Sequence, residues 1–162
     1  MKRSKFSLSH YKLLSCDMGQ LIPCTWMEVL PGDTFQHRTA CLIRLSPLLA
    51  PVMHPIIVSV HHWFVPLRLI WDDFESFITG GPDGDDASVP PFKSSATIVA
   101  GELSDYLGIP PGSYSPELVY SALPHRAYNL IWNEWYRDQD LQDEVVVATA
   151  SGADTTTGVS IL

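Results

Sequence analysis

Phe35-Gln36-His37-Arg38-Thr39-Ala40-Cys41-Leu42-Ile43-Arg44-Leu45 is the stretch that decides the fold class. Phe35, His37, Thr39, Cys41, Ile43 and Leu45 share one parity, against Gln36, Arg38, Ala40, Leu42 and Arg44 on the other. A period of two places these sets on opposite faces of an extended chain, so the stretch predicts a β-strand. Ile56 to Val65 repeats the pattern through Ile56, Val58, Val60, His62 and Phe64. Ile57 and Trp63 make its second face partly apolar, which predicts partial cover on both sides. Upstream, Gln20 to Leu30 is β-prone but carries Pro23, which suits an edge strand or a bulge. Pro31-Gly32-Asp33 joins it to the Phe35 strand as a turn, because proline presets φ and glycine accepts φ > 0. Three strands joined this way open an antiparallel sandwich.

Beyond Pro66 the period changes. Leu67, Ile70, Trp71, Phe74, Phe77 and Ile78 recur at three- and four-residue steps and predict a one-sided helix closed by Gly80-Gly81. Pro82 to Pro91 is acidic and turn-rich, and reads as an exposed loop. A short helix is expected from about Ala100 to Leu107, burying Leu103, Tyr106 and Leu107 and stopping at Gly108. Ser115-Pro116-Glu117 has the chemistry of a helix start: a capping hydroxyl, a first-turn proline and an acid. Pro124 breaks or restarts that helix. The piece from Pro124 to Arg137 carries Tyr128, Ile131, Trp132, Trp135 and Tyr136 on a broad apolar face. Thr149 to Ser160 is small, polar and Thr/Gly-rich, and is expected to be weakly ordered.

Composition bounds the function classes. The 162 residues fit one domain, and 46% hydrophobic against 17% charged residues argues for a folded chain. Thirteen prolines and ten glycines favour turns and short elements over a helical bundle. A net charge of −8 excludes nucleic-acid binding by bulk electrostatics. The N-terminus is nonetheless basic through Lys2, Arg3, Lys5 and Lys12, and a basic arm can meet phosphates. Cys16, Cys24 and Cys41 lack C-x-x-C spacing, which argues against a disulfide framework or a zinc site and suits a reducing compartment. No apolar h-region follows the basic start, so no signal peptide is read. The apolar stretch from Leu42 to Trp71 is interrupted by Arg44, Pro47, Pro51, His54, Pro55, His61 and His62, and does not read as a membrane span.

Catalytic and metal motifs are weak. His61 and His62 are adjacent on a strand and point to opposite faces, so they do not easily share one metal. Asp83-Gly84-Asp85-Asp86 lacks the register and downstream glutamate of a calcium loop. No nucleophile elbow or phosphate-binding glycine loop occurs. No metal, cofactor or catalytic residue is therefore assigned. The tryptophans Trp63, Trp71, Trp132 and Trp135 exceed what a small partial sandwich needs for filling, and surplus aromatic surface points to a subunit interface.

Several motifs in order carry a resemblance: Phe6-Ser7-Leu8-Ser9-His10; Ser15-Cys16-Asp17-Met18-Gly19-Gln20-Leu21-Ile22-Pro23; Glu28-Val29-Leu30-Pro31-Gly32-Asp33-Thr34-Phe35; Ala50-Pro51-Val52-Met53-His54; His62-Trp63-Phe64-Val65-Pro66; Arg68-Leu69-Ile70-Trp71; and Phe77-Ile78-Thr79-Gly80-Gly81. Leu123-Pro124, Ala127-Tyr128 and Ile131-Trp132-Asn133-Glu134-Trp135-Tyr136-Arg137-Asp138-Gln139 complete the series. Together they resemble the N-terminal part of Microviridae major capsid proteins of the gokushovirus-like branch. That resemblance implies a viral jelly roll, a sandwich of about eight strands with long inserted loops. It also implies a structural role in a small icosahedral shell around a single-stranded DNA genome, in a virion assembled in a bacterial host's cytoplasm.

The fold expected is therefore mainly β with a helical insertion, a partial jelly-roll sandwich incomplete without further C-terminal strands. Residues 1–19 form an arm, 20–66 the strands, 67–140 the helical insertion and 141–162 a return segment with a weakly ordered tail. Partner strands beyond Leu162 would leave unpaired edges here and make the isolated chain poorly stable. Expected partners are copies of the chain, other virion proteins and the genome, with no membrane. Lys2, Arg3 and Lys5 are the candidate genome contacts; Trp71, Trp132, Trp135 and Tyr136 are the candidate subunit interface. A stand-alone β-rich module for glycan or cell-surface attachment is the alternative, and a cupin-like metal enzyme using His61 or His62 comes third.

Overall fold

The computed structural model describes residues 4–162 and divides them into two units, residues 4–26 with Phe64–Leu162, and Met27–Trp63.

In the first unit the expected helix after Pro66 forms in two pieces, a 3-10 turn at Leu67–Leu69 and helix α1 at Phe74–Thr79. Gly80 ends α1 at φ 83°, the left-handed cap that a side chain would strain. Trp71 lies between the two pieces, with its ring 5.8 Å from Phe74 and 5.0 Å from Phe77. Strand β1, Phe92–Ile98, pairs antiparallel with β2, Gly112–Ser121, and the four-residue helix α2, Leu103–Tyr106, lies between them in sequence. Helix α3, Leu123–Trp135, starts with proline in its first turn and matches the expected restart at Pro124. The apolar centre joins Leu103, Leu107 and Tyr128 to Leu21, Ile161 and Leu162.

Three expectations are corrected. Ser115-Pro116-Glu117 does not start a helix; it belongs to β2. Ser95 pairs with Leu118 and Thr97 with Ser113, so Pro116 falls in the irregular part of the ladder, where its missing N–H leaves no rung unmade. The segment 67–140 is accordingly not helical alone, since it contains the two-stranded sheet. Residues 149–160 are also not loose. Asp154 and Thr157 are buried, Phe92 forms a parallel bridge to Ala153, and the Phe92 and Asp154 amides close it on Gly152 O and Phe92 O at 3.0 and 2.8 Å. Threonine and glycine are poor signals of burial, but here side chains from β1 and α3 supply the partners.

In the second unit, the turn at Pro31-Gly32-Asp33 forms as read. The Asp33 amide donates to Leu30 O at 3.1 Å, and Gly32 has φ 88°. The expected strands at Gln20–Leu30, Phe35–Leu45 and Ile56–Val65 do not form among the described residues. The alternation of the last two is intact, but a strand requires a neighbour for its amides and carbonyls, and no ladder reaches them. Leu42, Ile43, Leu45, Ile57 and Val58 stay exposed. The architecture is thus a small antiparallel sheet with short helices, consistent with part of a β capsid domain.

Candidate assembly surface

Helix α3 is packed with its polar face inward. Its buried residues are His125, Arg126, Tyr128, Asn129 and Asn133. The reason lies in what surrounds it: irregular backbone has no ladder to satisfy its amides and carbonyls, so side chains must do so. Arg126 donates through Nη1 to Ile70 O and through Nη2 to Ala150 O, each at 2.9 Å. Asn133 exchanges two hydrogen bonds with Val145, giving Nδ2 to the carbonyl at 2.8 Å and accepting the amide on Oδ1 at 3.0 Å. Tyr128 donates its hydroxyl to Leu21 O at 2.8 Å and accepts the Leu162 amide at 2.9 Å.

Charge inside this unit is compensated. Arg126 Nε meets Asp154 Oδ2 at 2.8 Å, with the two side chains 1% and 0% exposed. Burial pushes the Asp154 carboxyl up, but hydrogen bonds from Arg126 and Thr157 and the charge of Lys93 outweigh it and hold the group below its ordinary value. Lys93 donates to Thr157 O at 2.6 Å and Asp154 O at 3.3 Å. Burial lowers its pKa, opposed by Asp154 and aided by Arg126.

One pair has the outline of catalytic chemistry. Ser104 Oγ lies 3.0 Å from His125 Nε2 and 3.3 Å from the Tyr120 hydroxyl. Serine and histidine are each only 1% exposed, and His125 Nδ1 meets no hydrogen-bond partner among the described residues. A nucleophile needs substrate access and a base held by a third group, and this pair has neither. Both side chains are packed inside this unit.

Of the aromatic residues between 128 and 136, Tyr128 is buried together with the polar set. Trp135 is 67% exposed, while Trp132 and Tyr136 are half-buried. Trp71 is the correction among the four expected interface residues. It is 2% exposed and its indole N–H donates to Ser151 Oγ at 2.7 Å, so it fills the interior. Of the expected genome contacts, Lys5 is exposed, and Lys2 and Arg3 lie outside the described residues. His61 and His62 diverge, with the His62 ring against His37 and the His61 ring against Trp63. The sequence reading missed Arg126, Asp154 and Lys93; the arginine inside an otherwise aromatic helix was the available signal. No helix among the described residues is long and apolar enough to cross a membrane.

This unit thus combines a buried polar frame on α3 with an exposed Trp135 at the helix end. Residues 1–162 match the family described as capsid protein (F protein). The chain belongs to that family. Among capsid relatives, it is 39% identical to capsid protein VP1 of Chlamydia phage 1 over 98% of its own length. It is 37% identical to capsid protein VP1 of Bdellovibrio phage phiMH2K over 94%, and 32% identical to that of Spiroplasma virus 4 over 92%. The chain spans 28%, 29% and 28% of the lengths of these three capsid proteins.

Proposed function

We propose that this sequence is part of a major capsid subunit that self-assembles into a small icosahedral shell around a single-stranded DNA genome. The role is structural, with no catalysis. The subunit belongs to the virion and is assembled in the cytoplasm of a bacterial host, with other virion proteins and the genome as partners. The observation that carries this reading, beside family membership, is the orientation of α3: its polar residues are inside and Trp135 is outside. Tryptophan is enriched where subunits meet.

In this reading Phe35–Leu45 and Ile56–Val65 are strands of a jelly roll that pair with segments outside this sequence. Their preserved alternation and exposed apolar side chains support that assignment. Lys2, Arg3 and Lys5 contact genome phosphates, supported by their positive charge in an otherwise acidic chain.

The test uses the complete reading frame in which this sequence occurs. Sedimentation and electron microscopy are expected to show closed shells, and Trp135→Ala is expected to reduce them. Replacing Lys2, Arg3 and Lys5 together with alanine is expected to lower packaged DNA without lowering shell yield. A full-length product that stays monomeric under all conditions and binds glycan directly would overturn the capsid reading in favour of an attachment module.

A further inference from the structure

Within Met27–Trp63 the two extended segments approach each other at one polar point. Thr39 Oγ1 lies 3.3 Å from His37 Nε2 and 3.3 Å from His62 Nε2. The two imidazole rings have centroids 4.1 Å apart with their planes at 68°. All three residues are exposed. A hydroxyl has one proton, so it donates to one imidazole only, and the other must turn an N–H toward it. Two ring nitrogens converging on one oxygen, in water's reach, are also the donor set that a borderline metal ion takes. Imidazole suits copper, nickel and zinc, with metal–nitrogen bonds of roughly 2.0–2.1 Å.

We propose that His37 and His62 form a two-imidazole site for a divalent transition-metal ion, with the Thr39 hydroxyl at its edge and water in the other positions. No group of three or more His, Cys, Asp or Glu residues is gathered among the described residues, so the site is open rather than a closed structural centre. Its preference follows ligand chemistry, with Cu2+ tightest and Mn2+ weakest. The ion ties together two segments that have no backbone ladder between them. Neither histidine is adjacent to the other in sequence, which is why the visible His61-His62 doublet points to the wrong pair.

The experiment titrates the whole chain with Cu2+ and reads the nitrogen ligands by electron paramagnetic resonance. Stoichiometric binding with splitting from two nitrogens is expected. His37→Ala and His62→Ala are each expected to weaken binding about tenfold or more, and His54→Ala to leave it unchanged. These side chains are exposed, so the variants keep the fold. Arg38 sits between His37 and Thr39, so Cu2+ is also expected to slow tryptic cleavage after Arg38 in the wild type and not in the double variant. Equal copper binding and equal cleavage in the wild type and in the His37→Ala/His62→Ala double variant would overturn the proposal. So would a spectrum with one nitrogen ligand.

Discussion

Arg126 on α3 and Asp154 in the segment after it meet at 2.8 Å, and neither side chain reaches water. The pair does more than neutralise charge. Arg126 also holds Ile70 O and Ala150 O, so one guanidinium fixes three stretches of chain that share no sheet. A buried pair of this kind is costly to break on one side, because the remaining charge is stranded.

Arg126→Met or Asp154→Asn is therefore expected to destabilise this unit by about 3–5 kcal/mol, read by urea denaturation. The double variant Arg126→Met/Asp154→Leu is expected to recover part of that loss, since neither charge is left alone. Additive losses in the double variant would show that the two residues act separately.

Acid sensitivity follows from the same cluster. His125 has its pKa lowered to about 4, first by burial, then by the charge of Lys93, with Asp154 opposing. The unfolded chain takes up this proton near pH 6.5, before the folded one does, so stability falls as pH drops from about 6.5 to about 4. The contribution is on the order of 3 kcal/mol. Asp154 acts lower: its folded pKa is depressed, so its contribution is present above its unfolded value and lost as pH falls through the folded one. His125→Gln is expected to flatten the stability profile between pH 6.5 and 4 while leaving the loss below it. An unchanged slope in that window would assign the acid sensitivity to other groups.

Tyr128 joins Leu21 and Leu162 through one hydroxyl. Tyr128→Phe keeps the ring in the apolar centre and leaves a carbonyl and an amide without their partner. A loss of about 1–3 kcal/mol is expected. Faster hydrogen exchange at the Leu162 amide is the local readout. Unchanged exchange there would mean the amide is protected by other contacts.

The legible parts of the fold are those where a local pattern and the final environment agree. Gly80 ends a helix, Gly32 makes a turn, and Pro124 starts α3. The helix was readable but its inward face was not. Tyr128, Ile131, Trp132 and Trp135 form an apolar stripe, yet His125, Arg126, Asn129 and Asn133 are the buried set with Tyr128. Periodicity finds the stripe, and only tertiary neighbours say that irregular backbone on the other side needs polar partners. Asp154 and Thr157 were hidden for the same reason, since their burial depends on Arg126 and Lys93 far away in sequence. The strand pattern of Phe35–Leu45 was equally clear, but pairing is a property of two segments, and among the described residues no ladder reaches this one.

The two tryptophans at opposite ends of the exposure range separate folding from assembly. Trp71 is enclosed by Phe74 and Phe77 and anchored on Ser151, so Trp71→Ala is expected to cost about 3–5 kcal/mol by leaving a cavity. Trp135 is 67% exposed at the end of α3, so Trp135→Ala is expected to change the stability of the isolated chain by no more than about 0.5 kcal/mol. In the complete subunit the order reverses for assembly competence among folded molecules. Trp135→Ala is expected to lower shell yield by sedimentation while the soluble subunit remains folded, and Trp71→Ala to act only through the amount of folded protein. If Trp135→Ala left shell yield unchanged, the outward face of α3 would not be a subunit contact, and its exposed ring would then have to be met by another part of the same subunit.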